Sequence, residues 1–184
     1  ELAMEAMVES AMKDTCGYSM GYFVGLENYK KYGYVPCDLE MESVARTLEY
    51  AFDDWAISQF ASLTNHSQIY DKFYTRSLNY KNVIDTSTLL ARGKTKAGHW
   101  REPFYPLRSE HRADDYCEGN AWQWTFFVPH DVNGLAELMG GKDVLASRLD
   151  SLFTMSSTLE GETVSGDISG LIGQYAHGNE PSHH

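Results

Sequence analysis

The sequence predicts an all-α fold, and three patterns in its 184 residues support that prediction. Apolar residues recur at helical spacing through long stretches, several of these stretches begin at a capping or acidic residue, and glycines close some of them. Alternation of apolar and polar residues, the pattern of a half-buried strand, is not sustained over more than a few residues. We therefore expect one all-α domain, a helical-hairpin array with long irregular loops between the helices.

Three helices are predicted in the first half of the chain, and two of them follow a residue that can cap the first turn. Asp38 is a predicted N-cap, with Glu40 and Glu42 in the first turn, where the helix dipole favours acids. Asn65 is the predicted cap of the next helix. The segment 18–36 is rich in Gly and Tyr, which predicts irregular structure. The predicted helices are one that begins at Leu2 and ends before Gly17, one at 38–63 and one at 65–78.

The second half alternates between long connections and shorter predicted helices. The stretch 79–110 breaks the helical periodicity and contains glycines and prolines, and long connections of this kind are often functional. Asp131 is a predicted cap, and Gly140 and Gly141 close the helix that it begins. Helices are predicted at 121–127, 131–139, 143–153 and 168–176, with a polar loop at 154–166.

Composition and charge argue against several classes of protein. A formal net charge of −11 without a Lys/Arg cluster argues against nucleic-acid binding. No stretch approaches the run of about 20 apolar residues that a membrane-spanning helix needs. Cys16, Cys37 and Cys117 are far apart, which predicts buried thiols rather than a zinc or redox motif, with one disulfide as the alternative. The 12 Tyr and 4 Trp suit either sugar-binding surfaces or helix packing.

Glu118 is the first candidate for chemistry, because it comes just before a predicted helix among aromatic and amide side chains. A carboxyl group near apolar rings can have a raised pKa and act as a general acid. The alternative is an ordinary acidic residue at a helix start, where the helix dipole favours it. The spacing of the residues alone does not separate these interpretations.

Two further groups of polar residues are candidates. Glu49 and Asp53 are four residues apart on one predicted helix face, either as a ligand-binding pair or as a solvated face with Arg46 as an ion-pair partner. The string 177–184 combines amide, carboxylate and imidazole groups, and its oxygen ligands favour calcium. A zinc site is the alternative there, although neither HExxH nor HxxEH is present. Its ligands would be His177, Glu180, His183 and His184.

Several strings, taken together and in order, resemble glycoside hydrolase family 92, the calcium-dependent exo-acting α-mannosidases. One of them is Glu-Gly-Asn-Ala-Trp-Gln-Trp at 118–124, and another is His-Gly-Asn-Glu-Pro at 177–181. The resemblance covers nearly the whole chain from Gly33 onward. The matching stretches are 33–36, 42–44, 47–55, 118–124, 128–132, 138–141 and 170–184.

The resemblance implies a fold and a place within it. Family members have an N-terminal β-sandwich and a C-terminal (α/α)6 barrel, with the active site at their interface. Residues 1–184 would be one partial domain, the central portion of the barrel, without the β-sandwich and the C-terminal barrel helices. The family inverts anomeric configuration, and its catalytic base lies in an Asp-rich motif that does not follow His184 here. The chain is therefore expected to be inactive alone, and its exposed barrel surface predicts a homo-oligomer.

The resemblance also implies site residues and partners. Glu118 matches the general acid. The position of Gly178 is a Glu in members that cut α-1,2 bonds, so another linkage such as α-1,3 is expected. Mannose-containing glycans would be the substrates, and the protein would be periplasmic, on the cell surface or secreted. The alternative is a non-catalytic helical carbohydrate-binding or scaffolding module. The expected substrate-binding residues are His177, Gly178, Trp122, Asp53 and Asp54, and the expected calcium neighbours are Asn179, Glu180 and Gln123.

Overall fold

Helices form most of the regular structure, which confirms the all-α prediction. The computed structural model describes residues 1–13, 23–110, 114–162, 164, 168 and 170–176. Within these residues, the helices are α1 (Leu2–Ser10), α2 (Leu26–Tyr32), α3 (Ser43–Leu63), α4 (Ser67–Ser77), α5 (Ala121–Trp124), α6 (Val132–Met139) and α7 (Lys142–Thr154). A 3-10 helix (Leu78–Val83) continues α4, and β1 (Ile84–Asp85) pairs antiparallel with β2 (Leu90–Ala91).

The long helix α3 is the centre of the packing. Its buried side chains include Val44, Leu48 and Ala51, spaced at four and three residues, so that they form one stripe along the helix. This stripe joins a core that also contains residues of the 3-10 helix, α5, α6 and α7. Helices α4 and α1 both pack against α3. The predicted periodicity of this helix is therefore confirmed.

The predicted caps of α3 and α4 are wrong. Helix α3 begins at Ser43 rather than after Asp38, because the N–H groups of Val44 and Ala45 donate to the main-chain oxygen of Asp115 (2.9 and 3.2 Å). A tertiary contact thus satisfies donors that a side-chain cap would otherwise satisfy. Asp38 instead accepts the N–H of Lys96 (2.7 Å).

The cap of α4 differs for a local reason. His66, not Asn65, is its N-cap residue, and Asn65 has φ 62° in the turn between α3 and α4. Asn is one of the residues that tolerate this left-handed conformation. The residue therefore makes the turn rather than capping the helix.

The segment predicted to be irregular contains a helix. Helix α2 lies between Gly25 (φ 80°) and Gly33 (φ 75°), and it buries Leu26 and Tyr29. The glycines that suggested irregular structure are its two flanking residues, where left-handed backbone is easy for glycine. The prediction of irregular structure from composition is therefore wrong here, because burial of Leu26 and Tyr29 stabilises a helix despite the Gly and Tyr content.

The helix predicted at 168–176 is also wrong for the residues described there. Ile172 and Tyr175 exchange two main-chain hydrogen bonds (3.1 and 3.0 Å), which makes a tight hairpin turn. Gly173 has φ 61° in this turn, and a Cβ there would lie 2.3 Å from the main-chain oxygen of Leu152. A helix would not bring the backbone so close to the end of α7.

Most of the second half follows the prediction. The stretch 79–110 is largely a long connection, and Asp131 caps α6 by accepting the N–H of Gly134 (2.9 Å). Helix α5 is shorter than predicted, and α7 begins at Lys142. Cys37 is a buried free thiol and Cys117 a half-buried one, whereas Cys16 lies outside the described residues. Within the described part of the chain, the helices are too short or too polar to cross a membrane.

Candidate active site

Glu118 has an unusual backbone conformation for its residue type. Its φ is 47°, in the left-handed region, and its side chain is half-buried. This conformation is strained for a residue with a Cβ, by about 1–2 kcal/mol, and such strain tends to occur at functional sites. The strain persists only where neighbouring contacts hold the backbone in place.

Those contacts lie on both sides of Glu118. Before it, the main-chain oxygen of Cys117 accepts the indole N–H of Trp124 (2.8 Å). After it, the N–H of Asn120 donates to Oε1 of Gln123 (2.8 Å). The two anchors both lead into α5, so the loop that carries Glu118 is fixed against the helix that follows it.

Gly119 allows this close arrangement. A Cβ at this position would lie 2.8 Å from Oε1 of Gln123 and 3.1 Å from Nε1 of Trp124. A larger residue would therefore push against both anchoring side chains. The glycine is required here by lack of space, and the loop wraps tightly over the start of α5.

Asn120 and Gln123 form a reciprocal capping box at the start of α5. Oδ1 of Asn120 accepts the N–H groups of Trp122 (3.0 Å) and Gln123 (3.3 Å). The prediction that a helix starts just after Glu118 is confirmed. Asn followed three residues later by Gln is a variant of the capping-box pattern, so the sequence carried a signal for Asn120 that our interpretation missed.

Gln174 links this loop to a distant part of the chain. It is fully buried, and its Oε1 accepts from Nδ2 of Asn120 (2.8 Å), while its main-chain oxygen accepts from Nε2 of Gln123 (2.9 Å). Its own Nε2 donates to the main-chain oxygens of Ser156 (2.6 Å) and Thr158 (3.1 Å). The helical interpretation of 168–176 gave no hint of this role.

An ion pair between the partly exposed Arg101 and the buried Asp115 holds the other end of the loop. Arg101 donates to both carboxylate oxygens of Asp115 (2.7 and 2.9 Å), and the Ser43 hydroxyl donates to the same carboxylate (2.9 Å). A Cβ at Gly93 would lie only 2.0 Å from this carboxylate. The segment before Glu118 is therefore fixed to the start of α3 and to the chain that follows β2.

Asp114 adds a second carboxyl group close to this ion pair. Burial, together with the charge of Asp115, raises the pKa of Asp114 to about 6, although the N–H groups of Tyr116 (2.8 Å) and Glu110 (3.1 Å) donate to it and oppose the rise. This carboxyl group is thus closer to neutrality than an ordinary aspartate. Its hydrogen bonds show that it shapes the turn that leads to Glu118.

Trp122 is nearly buried, with 9% of its surface exposed. The guanidinium of Arg148 lies 4.0 Å from the centre of its ring and also donates to the main-chain oxygen of Thr88 (3.3 Å). Burial lowers the pKa of Arg148. Since Arg148 covers one face of the indole, a sugar could stack there only by displacing it. The substrate-binding role of Trp122 stays a prediction.

Asp53 and Asp54 lie in a different region from the Glu118 loop. They line a cleft of about 380 Å³ between α1 and α3. Asp53 is exposed, whereas Asp54 is buried and accepts from Nε and Nη2 of Arg76 (2.6 and 2.5 Å) and from the Tyr29 hydroxyl (3.0 Å). Burial raises the pKa of Asp54, and its bonds to Arg76 and Tyr29 oppose that effect. Asp54 therefore connects α2, α3 and α4, and a role of either residue in substrate binding stays a prediction.

Of the expected calcium neighbours, Gln123 is described, whereas Asn179 and Glu180 lie outside the described residues, as do His177 and Gly178. Within the described residues, His, Cys, Asp and Glu side chains form no group of three or more that could hold a metal ion. Among the described residues, Oε1 of Gln123 accepts the N–H of Asn120, and an amide oxygen has two lone pairs. An amide oxygen is a ligand that calcium accepts, so the chemistry of Gln123 fits the expected ion.

Comparison with known proteins identifies the family of the chain. The model of the glycosyl hydrolase family 92 catalytic domain matches residues 1–184. The chain belongs to glycoside hydrolase family 92. A family 92 α-mannosidase from Bacteroides thetaiotaomicron, solved with mannoimidazole, is 40% identical, with a TM-score of 0.83, over 97% of this chain and 23% of that protein.

Two further relatives extend the comparison. An inverting mannosidase of family 92, also from Bacteroides thetaiotaomicron, is 34% identical over 97% of this chain and 25% of its own length, with a TM-score of 0.79. An uncharacterized secreted glycosidase from Arthroderma benhamiae is 26% identical in an alignment of 180 residues, which covers 83% of this chain and 23% of that protein. This family 92 chain thus spans about a quarter of the length of these relatives. Their likeness supports the expectation that its helices are part of an (α/α)6 barrel.

Proposed function

We propose that this chain supplies the general acid of an inverting, calcium-dependent exo-α-mannosidase that acts on terminal α-mannosidic bonds of glycans. The observation that carries this proposal is the backbone of Glu118, which is strained and anchored on both sides. Glu42, at the start of α3, also has left-handed backbone (φ 55°), so the conformation of Glu118 supports a role in chemistry together with its anchors and the family motif at 118–124. Family membership and two mannosidase relatives supply the substrate class.

The chemistry assigned to Glu118 is proton donation. Its carboxylic acid gives a proton to the glycosidic oxygen as the bond to the anomeric carbon breaks. A carboxylate on the opposite face takes a proton from the attacking water, and in inverting enzymes the two groups lie about 6.5–9.5 Å apart. We place that base in the part of the full-length protein that follows residue 184, so the 184-residue chain is expected to be inactive alone.

Fixed backbone around Glu118 suits this role. Proton transfer requires the acid within hydrogen-bond reach of the leaving oxygen, and small displacements lower the rate strongly. The anchors at Cys117 and Asn120 keep the loop from sampling other positions. They act on the residues next to the acid, and the backbone between them sets the direction of its Cα–Cβ bond.

Calcium is proposed to be held by Gln123, Asn179 and Glu180. When bound, the ion would contact hydroxyl groups of the terminal mannose and favour a distorted ring. Gly178 favours a linkage other than α-1,2, such as α-1,3. The fungal relative is described as secreted, which supports a protein that works outside the cytoplasm, in the periplasm, on the cell surface or released.

The test uses the full-length gene product that contains this chain. Wild-type protein, Glu118→Gln and the exposed-carboxylate control Glu137→Gln are compared on α-1,2-, α-1,3-, α-1,4- and α-1,6-mannobiose and on an aryl α-mannoside with a good leaving group. We expect proton NMR to show β-mannose as the first product. A chelator should remove the activity, and calcium should restore it. Glu118→Gln should lower the rate on mannobiose more than the rate on the aryl substrate. The control should behave as wild type.

Three outcomes would contradict the proposal. Release of α-mannose as the first product would exclude inversion. Equal loss on both kinds of substrate would remove Glu118 from the role of acid. Binding of mannosides without hydrolysis by the full-length protein would instead favour a carbohydrate-binding module.

A further inference from the structure

We infer that Gln174 is a positioning residue for Glu118, which it orients through Asn120 and Gln123. This inference deepens the proposed function and rests on it. Gln174 comes 56 residues after Glu118 in the chain (174 − 118), and its side chain nevertheless lies against the helix start that holds the acid's loop. Its influence on the acid is indirect, since it bonds to the residues that anchor Glu118.

Asn120, Gln123 and Gln174 form a closed ring of hydrogen bonds that runs through side-chain and main-chain groups. The N–H of Asn120 donates to Oε1 of Gln123, Nε2 of Gln123 donates to the main-chain oxygen of Gln174, and Nδ2 of Asn120 donates to Oε1 of Gln174. The partners of each amide set its orientation, because reversing any of the three would put donor against donor or acceptor against acceptor. The ring therefore has one arrangement that satisfies all its members.

Burial makes this arrangement hard to replace. Asn120 and Gln174 have no exposed surface, and Gln123 has 4%. Loss of the Gln174 amide would leave Nδ2 of Asn120 without its buried partner, and an unsatisfied buried donor destabilises the arrangement that contains it. The loop would relieve that cost by shifting Asn120 towards water or another acceptor, and Glu118 is two residues away.

Gln174 is itself fixed to a different part of the fold. Its N–H donates to the main-chain oxygen of Leu152 near the end of α7 (2.7 Å), and its Nε2 donates to Ser156 and Thr158. The left-handed Gly173 lets the turn approach α7 this closely. Through Gln174, the Glu118 loop is therefore held against α7 and the segment after it as well as against α5.

Two variants separate the contributions of the amide. Gln174→Met keeps approximate size and removes every side-chain hydrogen bond. Gln174→Glu keeps an acceptor for Asn120, but its ionised form places an oxygen against the carbonyls of Ser156 and Thr158. The protonated form of the new carboxyl group would restore both a donor and an acceptor, and burial would raise its pKa. Activity lost in the Gln174→Glu variant should therefore return as the pH is lowered, whereas the Gln174→Met variant should not recover.

The measurements use the full-length protein, with Gln59→Met as the matched Gln-to-Met control and Leu145→Ala as a control that loosens the core without touching the ring. We expect Gln174→Met to lower kcat on mannobiose about 10- to 100-fold, with a smaller loss on the aryl mannoside and little change in KM. In a Glu118→Gln background, the same substitution should have no further substrate-dependent effect. A uniform loss on both substrates, matched by Leu145→Ala, would overturn the inference.

A second readout keeps the inference testable if the protein has no mannosidase activity. Native-state hydrogen exchange of the 117–123 backbone should be faster in Gln174→Met than in wild type, and unchanged in Leu145→Ala at a comparable loss of stability. Faster exchange with no mannosidase activity in wild type would overturn the proposed function and leave the positioning of the loop supported. Unchanged exchange at 117–123 would overturn the positioning role whatever the activity.

Discussion

Arg101 and Asp115 form a two-point ion pair on the segment before Glu118, and the main-chain oxygen of Asp115 also accepts the N–H groups that start α3. Asp115 is buried, whereas the Arg101 side chain is 41% exposed. Arg101→Met should therefore leave a buried carboxylate without its cation. We expect destabilisation near the low end of the about 3–5 kcal/mol found for buried pairs, because Arg101 is partly in water. Denaturant unfolding of the full-length protein measures it, with the exposed Lys96→Met as control.

The same substitution should also affect activity through the loop. A shift of Asp115 would move the segment that leads to Glu118. The kcat on mannobiose should therefore fall more in Arg101→Met than in the control Lys96→Met. A variant that loses stability but keeps wild-type kcat in its folded fraction would show that the Asp115 anchor does not position the acid.

Asp54 offers a test of whether the cleft between α1 and α3 binds substrate. In Asp54→Asn the guanidinium of Arg76 loses its charged partner in a buried site, which we expect to cost about 3–5 kcal/mol. The neighbouring Asp53→Asn is a comparison for stability, since Asp53 is exposed and should change stability by about 0.5 kcal/mol or less. Unfolding gives the stability of each variant, and KM for mannobiose gives its effect on binding. If KM rises in the folded fraction of either variant, that residue binds substrate as the sequence suggested.

The sequence predicts those features whose interacting residues are close together in the chain, and it misses those whose partners are far apart in the chain. Helix α3 was predictable because Val44, Leu48 and Ala51 repeat locally, and the Asp131 cap because its partner Gly134 is three residues away. The start of α3 was not predictable, because its first N–H groups donate to the main-chain oxygen of Asp115, which is far along the chain.

The candidate site shows the same division. Glu118 was identified from its immediate neighbours and from a family motif, and the capping box that follows it is a local pattern that could have been recognised. Gln174 reaches Asn120 across 54 residues, and no periodicity or spacing rule connects them. The left-handed glycine in its turn supports backbone contacts that a helical interpretation of the same stretch excludes.

Asp131 predicts a pH dependence of stability. Burial acts to raise its pKa, but the hydrogen bonds from the Tyr80 hydroxyl (2.7 Å) and the Gly134 N–H, together with Lys81, bring the pKa below its ordinary value. A carboxyl group with a lowered pKa stabilises the fold above the pKa of the unfolded chain, about 4, and loses that contribution as the pH falls through the folded value. Asp131→Asn keeps a capping side chain and removes the charge.

The measurement is the free energy of unfolding of wild type and Asp131→Asn between pH 7 and about pH 3. We expect wild type to be more stable at pH 7 and the difference to shrink below about pH 4. A difference that stays constant down to the acid end of this range would mean that the charge of Asp131 adds nothing beyond the cap.

The strained backbone at Glu118 predicts that a glycine variant is more stable than an alanine variant, the reverse of the usual order. At most positions alanine is more stabilising than glycine, by about 0.4–1 kcal/mol, because glycine leaves the unfolded chain more freedom. At φ 47° the order should reverse, since alanine keeps the Cβ that strains left-handed backbone and glycine does not. We therefore expect Glu118→Gly to be more stable than Glu118→Ala by about 1 kcal/mol, and both to lack activity on mannobiose. The same pair of substitutions at Glu137, an exposed residue within α6, should give the ordinary order, with alanine more stable by about 1 kcal/mol. If alanine were the more stable residue at both positions, the backbone of Glu118 would not be strained, and the structural argument that its conformation is maintained for catalysis would fail.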